Sequence, residues 1–372
     1  MKTSLHLARG RRRVLASGVV LAAASLALTA CAGSATPSGS GSAGGSGGGK
    51  TAVTLITKTS TNPFFLAMKK GAEDEAAKDG VTLTYAAGAA DGDEDGQIKA
   101  IEAAVARGDK GILITVNGPG VNSAIEQARK QGLYVIALDT PPDPADTVDL
   151  TIATNNFQAG EEIGKWAAAK QDGKPANIAL LDLYNDKVVS VDYGRDQGFL
   201  TGMGIDTKNA KMNGDEDKSG NYTGGKGGSY TIACNEPTQG AQDQGKSAME
   251  TCLSKTKNIN LVYTINEPAA AGAAEALKSA GVTATIVSVD GGCSPGVADV
   301  KAGIIGATAQ QYPVKMAQLG VQAIKTIADG GAKPAVTSGL TFLDAGVALV
   351  TDKPVDGLAS ITSDAASKIC WG

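Results

Sequence analysis

The chain has 372 residues, 34 basic and 38 acidic side chains, and a single histidine, His6. That length is more than one hydrophobic core usually serves, so two domains are expected. The acidic balance lacks the basic footprint that nucleic acid requires.

The front of the chain reads as processing signal rather than fold. Lys2, Arg9, Arg11, Arg12 and Arg13 precede an apolar stretch, 14–28, that is too short for a comfortable membrane span. A charged start, a short apolar region and small residues at the end are the pattern of a cleaved export signal over 1–30. The ending Leu28-Thr29-Ala30-Cys31 is similar to a lipoprotein signal, in which Cys31 is lipidated and becomes the mature N-terminus. An ordinary signal with a chance cysteine is the alternative, and both the general and the twin-arginine export routes stay open.

Residues 31–50 are almost entirely Gly, Ser and Ala and are expected to be a flexible tether, with a reach of roughly 25 Å. Cleavage would leave 29 basic against 38 acidic residues, a charge of −9, and no histidine. Histidine-based nucleophilic schemes, general bases and metal ligands are then excluded together, and only a carboxylate enzyme stays open.

From residue 51 the pattern alternates. Strands are expected at 52–56, 81–85, 111–116, 133–138 and 150–154, with helices at 63–78, 96–106 and 120–131 between the first four. Short β-rich runs separated by helices of this length imply βαβ units and a buried parallel sheet. In such sheets ligands lie beyond the carboxyl ends of the strands. Polar clusters fall there: residues 59–62, Asn117-Gly118 and Asp139-Thr140.

Asn155-Asn156 reads as a cap for a helix over 158–170, and the alternation resumes. Strands are expected at 178–182, 259–264, 285–290 and 304–308. Helices are expected at 187–200, 268–279 and 313–328, the last with Pro313 in its first turn. This is a second sheet of the same design. Residues 207–229 are polar and glycine-rich, an excursion from it. Short β-like runs in 340–361 are expected to finish the second sheet.

Cys234, Cys252, Cys293 and Cys370 are an even set in an exported chain, which suggests two disulfides among three connectivities. Cys234 and Cys252 flank one segment and form the expected pair, leaving Cys293 with Cys370. Free buried thiols are the alternative. No phosphate-binding glycine motif follows the first strand. Asp91, Asp93, Asp95, Gly96 and Glu102 satisfy the spacing of a calcium loop, but Lys99 stands at its ninth position and no entering helix precedes it. The segment's structural reading is an acidic start to the second helix. No cofactor is expected.

Asn62-Pro63-Phe64-Phe65 after the first strand, together with the export signal and the double α/β pattern, resembles the periplasmic sugar-binding proteins of the ribose-binding type. These are type I solute-binding proteins of ABC importers, and the chain is most similar in appearance to the fructose-type binding lipoproteins among them. The resemblance runs from about residue 51 to the end. It implies the type I fold: two parallel-sheet α/β lobes joined by a multi-strand hinge. The first lobe is expected over 51–154 with about 311–339, the second over 155–310 with about 340–372.

The same resemblance implies the site. Asn62 bonds sugar hydroxyls, and Phe64 and Phe65 stack on the ring. Asp139 closes the fourth strand, followed by Thr140 where the family often has arginine. Arg195 belongs to the Arg-x-x-Gly-Phe pattern, ending here at Phe199. Asn266, Asp290 and a glutamine two places before a proline complete the set; that glutamine is Gln311, or Gln310 if the register slips. Asp182 and Tyr184 lie beyond another strand end.

The residue types suit the chemistry. Carboxylates accept from sugar hydroxyls, arginine donates in a fixed fork, and amides do both. An aromatic face covers the apolar side of a sugar ring. The alternative for each is a local cap or core packing.

The expected function is therefore the exported substrate-binding component of an ABC importer, a monomer lipid-anchored through Cys31 to the outer face of the cell membrane. It would deliver one monosaccharide, fructose, ribose or similar, to a membrane permease. A receptor for a membrane sensor and an exported sugar-processing enzyme using Asp139 with Asp290 are the alternatives.

Overall fold

The computed structural model describes residues 50–372 of the chain. The expected export signal, Cys31 and all of the tether but Lys50 lie outside the described residues.

Two sheets organise the described chain. In the first, β1 (Ala52–Thr57) lies between β2 (Thr82–Ala87) and β3 (Gly111–Ile114), followed outward by β4 (Tyr134–Leu138), β5 (Leu150–Ala153) and the two-residue β12 (Leu343–Asp344), all parallel. In the second, β6 (Ala176–Asp182) lies between β8 (Gly228–Pro237) and β9 (Leu261–Thr264). Beyond β9 come β10 (Thr285–Asp290), β11 (Ala307–Gln310) and the antiparallel β13 (Ala348–Val350). At the other edge β7 (Ser219–Tyr222) pairs antiparallel with β8. Each sheet is covered on both faces by buried apolar clusters, which is why its strands read as continuous apolar runs.

The helices begin where caps allow. Asn62 opens α1 (Pro63–Asp79) by accepting from the Phe64 N–H at 2.9 Å, and Pro63 supplies a first-turn φ with no donor to lose. α2 (Glu94–Arg107) and α3 (Asn122–Lys130) complete the first sheet's own helices. Asn155 caps α4 (Asn156–Gln171) through the Gln158 N–H, as expected. α4 lies along α5 (Ser190–Met203) in backbone contact: a Cβ on Gly198 would stand 2.2 Å from the Phe157 carbonyl oxygen, and one on Gly160 2.1 Å from that of Arg195.

The chain passes between the sheets at three places. β5 leads into α4, which packs on the second sheet. β11 leads into α9 (Pro313–Ala328), which packs on α1 and the first sheet. β12 leads into β13. The tail is thus divided: Leu343 and Asp344 extend the first sheet, where the sequence had placed the whole of 340–361 in the second.

Five elements were not expected: β7, β8, α6 (Gln242–Lys255) and two short helices, α8 (Ala298–Ala302) and α10 (Ser363–Ala366). β7 and β8 form a hairpin on the edge of the second sheet, in and after the segment read as an excursion. α6 follows them and is bonded to β8 through Cys234–Cys252. The second bond joins Cys293 to Cys370. The remaining α-helix is α7 (Glu267–Ala280).

Candidate functional site

Both sheets present the carboxyl ends of their strands to one small cavity of about 30 Å³. Asn62, Phe64, Phe65 and Asp139 line it from the first sheet, and Arg195, Asn266 and Asp290 from the second. The sequence had singled out all seven. Lys58, Asp91, Leu183, Val191 and Ile265 line it as well.

Arg195 is the centre. It is buried, and its Nε donates to Asn156 Oδ1 at 2.8 Å while Nη1 donates to the Ile265 carbonyl at 2.7 Å. Those bonds fix the guanidinium plane. Its Nη2 stands 3.8 Å from Asp139 Oδ1 and its Nη1 3.8 Å from Asp290 Oδ1. These are charge contacts too long for hydrogen bonds, and Asp139 Oδ1 is buried with no donor. Burial pushes the Asp290 carboxyl up to about 7, with Arg195 drawing it down and Asp139 pushing it further up. Both aspartates have positive φ, 64° at Asp139 and 140° at Asp290, which non-glycine residues rarely adopt.

The aromatic wall is edge-on. The rings of Phe64 and Phe65 meet at 5.5 Å, and Trp371 lies against Phe64 at 5.4 Å, both T-shaped. Trp371 Nε1 donates to the Gln311 carbonyl at 3.0 Å. The two amides are half committed to helix starts. Asn62 Oδ1 caps α1; Asn266 Oδ1 accepts from Ala269 N while its Nδ2 donates to the Gly240 carbonyl. What remains to each for a ligand is N–H donation.

Five expected residues lie elsewhere. Thr140 is buried beside Asp139 and donates to its Oδ2 at 2.8 Å. Gln311 stands behind Asp290, its Nε2 3.1 Å from Oδ1, whereas Gln310 donates away to the Ile369 carbonyl; Gln311 is therefore the one associated with the site. Asp182 is fully buried within the second sheet's own packing. Its Oδ2 accepts from Asn235, and burial, then Asp196, Asp192 and Glu216, hold its carboxyl well above the ordinary value. Tyr184 sits in the rim, its ring 5.6 Å from Lys187 Nζ, which donates to the Gly92 carbonyl of the facing rim at 2.8 Å.

The calcium spacing resolves differently. Asp93 is the cap of α2, accepting from Ala89 N and Gly96 N; Asp95 and Glu102 are exposed; Asp91 turns to the cavity. Among the described residues no three acidic, cysteine or histidine side chains are grouped to hold a metal. Burial pushes Asp91 up to about 6, opposed by Lys58 and assisted by Asp139. Lys58 is the charged lining residue the sequence reading missed, along with the apolar Leu183, Val191 and Ile265. The signal for Lys58 was its place at the end of β1, one residue before the polar cluster.

Residues 53–332 match the family model described as a periplasmic binding protein domain. The chain is 30% identical over 281 residues to the D-apiose import binding protein of Actinobacillus succinogenes, covering 75% of this chain and 82% of that one. It is 25% identical over 282 residues to the ribose import binding protein of Salmonella typhimurium, covering 76% and 86%. A crystal structure of a galactofuranose binding protein superposes with a TM-score of 0.67 at 23% identity, over 85% of this chain and 96% of that one, a likeness of fold. No described helix is long and apolar enough to cross a membrane. The chain belongs to the periplasmic binding protein domain family, whose members bind solutes rather than transform them.

Proposed function

We propose that this protein is the extracytoplasmic sugar-binding component of an ABC importer, holding one monosaccharide in the cavity between the two sheets and passing it to a membrane permease. The observation that carries this reading is the buried Arg195 between Asp139 and Asp290, with hydrogen-bonding positions open on the acids and two phenylalanines beside them. Such a set matches a small ring bearing many hydroxyls, each able to donate and accept. The relatives are named for ribose, D-allose, galactofuranose and D-apiose, which supports a monosaccharide as the class. Fructose or ribose, or a sugar of the same size, is the proposed ligand.

The two proposed lobes are 51–154 with about 311–339, and 155–310 with about 340–372 apart from β12; the division into two sheets supports this reading. Cys31, lipidated, would tether a monomer to the outer face of the cell membrane. The test of function is calorimetry of the purified protein against a panel of aldoses, ketoses and polyols at neutral pH. Tight binding of one or a few is expected, and no binding across the panel would overturn the reading. Mass analysis of the mature protein from its host tests the anchor: an unmodified Cys31 would exclude it.

A further inference from the structure

Two successive polar residues at the start of α7 have different tasks. Asn266 lines the cavity, while Glu267 does not, and only 1% of Glu267 is exposed. The Glu267 carboxylate receives three donors. Gly291 N–H and Thr308 Oγ1 reach Oε1 at 2.7 and 2.8 Å, and Gly292 N–H reaches Oε2 at 3.0 Å. Two of these donors are the backbone of the turn that follows Asp290 at once. The turn is built closely around the carboxylate: a Cβ on Gly296 would stand 2.0 Å from Glu267 Oε1, and one on Gly291, at φ 72°, 2.3 Å from Gln310 Cβ.

Asp290 needs such a grip. Its φ of 140° is not one the backbone holds by itself, so neighbouring bonds must impose it. Gln311 N–H donates to the Asp290 carbonyl at 2.8 Å from one side, and Glu267 anchors the next two peptide groups from the other.

We propose that Glu267 is the positioning residue for Asp290, clamping the 291–292 turn so that the Asp290 carboxylate meets ligand hydroxyls beside Arg195. This rests on the monosaccharide-binding reading above. Burial, then the charge of Asp290, push the Glu267 carboxyl up, and the three donors oppose them by favouring the carboxylate. An amide in place of Glu267 has one oxygen for three donors and turns an N–H toward one of them, so the clamp loosens where a similar shape remains.

The test is a double-mutant cycle on affinity, using the monosaccharide that binds the wild type most tightly. Glu267→Gln, Asp290→Ala and the pair are compared by calorimetry after circular dichroism shows native folding. Glu267→Gln is expected to weaken binding at least tenfold, and the double variant to bind no more weakly than Asp290→Ala alone, since the clamp acts through Asp290. Unchanged affinity in Glu267→Gln, or a full extra loss on the Asp290→Ala background, overturns the proposal. Should Glu267→Gln not fold, Thr308→Val removes one donor and runs the same cycle. There a loss of about threefold or more that vanishes on the Asp290→Ala background is expected, and unchanged affinity overturns it. A wild type that binds no monosaccharide fails the functional reading instead, before any variant is compared.

Discussion

Arg195 and Asp139 face each other at 3.8 Å across the cavity, joining α5 of one sheet to the end of β4 in the other by charge without a hydrogen bond. With no hydrogen bond between them, the guanidinium keeps an N–H to donate to a ligand oxygen and the carboxylate Oδ1 stays open to a ligand hydroxyl. A charged hydrogen bond contributes roughly 1.5–3 kcal/mol, and about 1.4 kcal/mol is one decade of affinity. Arg195→Lys keeps the charge but loses the planar fork. It is expected to weaken monosaccharide binding at least tenfold in calorimetry; unchanged affinity would remove Arg195 from the site.

Asp182, Asp196 and Glu216 are buried with one carboxylate oxygen each lacking a donor. Burial, then neighbouring acids, hold Asp182 and Asp196 well above the ordinary carboxylate value. From that ordinary value, about 3.9, up to the folded one, the unfolded chain holds fewer protons, so stability falls as pH rises. Asp196→Asn is therefore expected to raise the melting temperature more at pH 8 than at pH 4.5. An equal change at both, followed by scanning calorimetry, would contradict it.

Gly198 has no space for a side chain against α4. Gly198→Ala is expected to cost about 1–3 kcal/mol of stability by overpacking. Because the displaced backbone carries Arg195, affinity should fall with it. Denaturant titration and calorimetry on the same sample read both.

The Cys293–Cys370 bond closes a separation of 77 residues and Cys234–Cys252 one of 18. Cross-links of this kind typically contribute about 2–4 kcal/mol, more for longer loops. Cys370 also precedes Trp371, whose ring lies on Phe64. The variant lacking Cys293 and Cys370 is expected to melt lower, with tryptophan emission shifted to the red and weaker sugar binding. The variant lacking Cys234 and Cys252 should lose stability alone.

The parallel sheets were legible because strands buried on both faces read as apolar runs; of the candidate site, the strand-end clusters pointed to Asn62 and Asp139, whereas Arg195, inside a helix, was given only by the family pattern. α6 was equally periodic, with Gly245, Ala248, Met249, Cys252 and Leu253 buried at helical spacing. Its small and polar residues carry too little hydrophobicity to announce it. Asp182 shows the opposite failure. It ends a strand as Asp139 does, yet its neighbours enclose it, and only three-dimensional packing separates an acid that faces a cavity from one that faces other acids. Lys58 is a long charged residue that looks like solvent-exposed surface and is almost fully buried.

The glycine contacts between α4 and α5 carry a consequence for how this protein could diversify. Asn156 and Arg195 stand on two helices that touch through main chain. So long as the contact glycines are kept, that spacing does not depend on which other side chains the two helices carry. The arginine is thus an immovable reference mark, and new ligand preferences are free to arise around it by changing residues such as Lys58, Asp91 or Leu183, which line the same space without belonging to that helix pair.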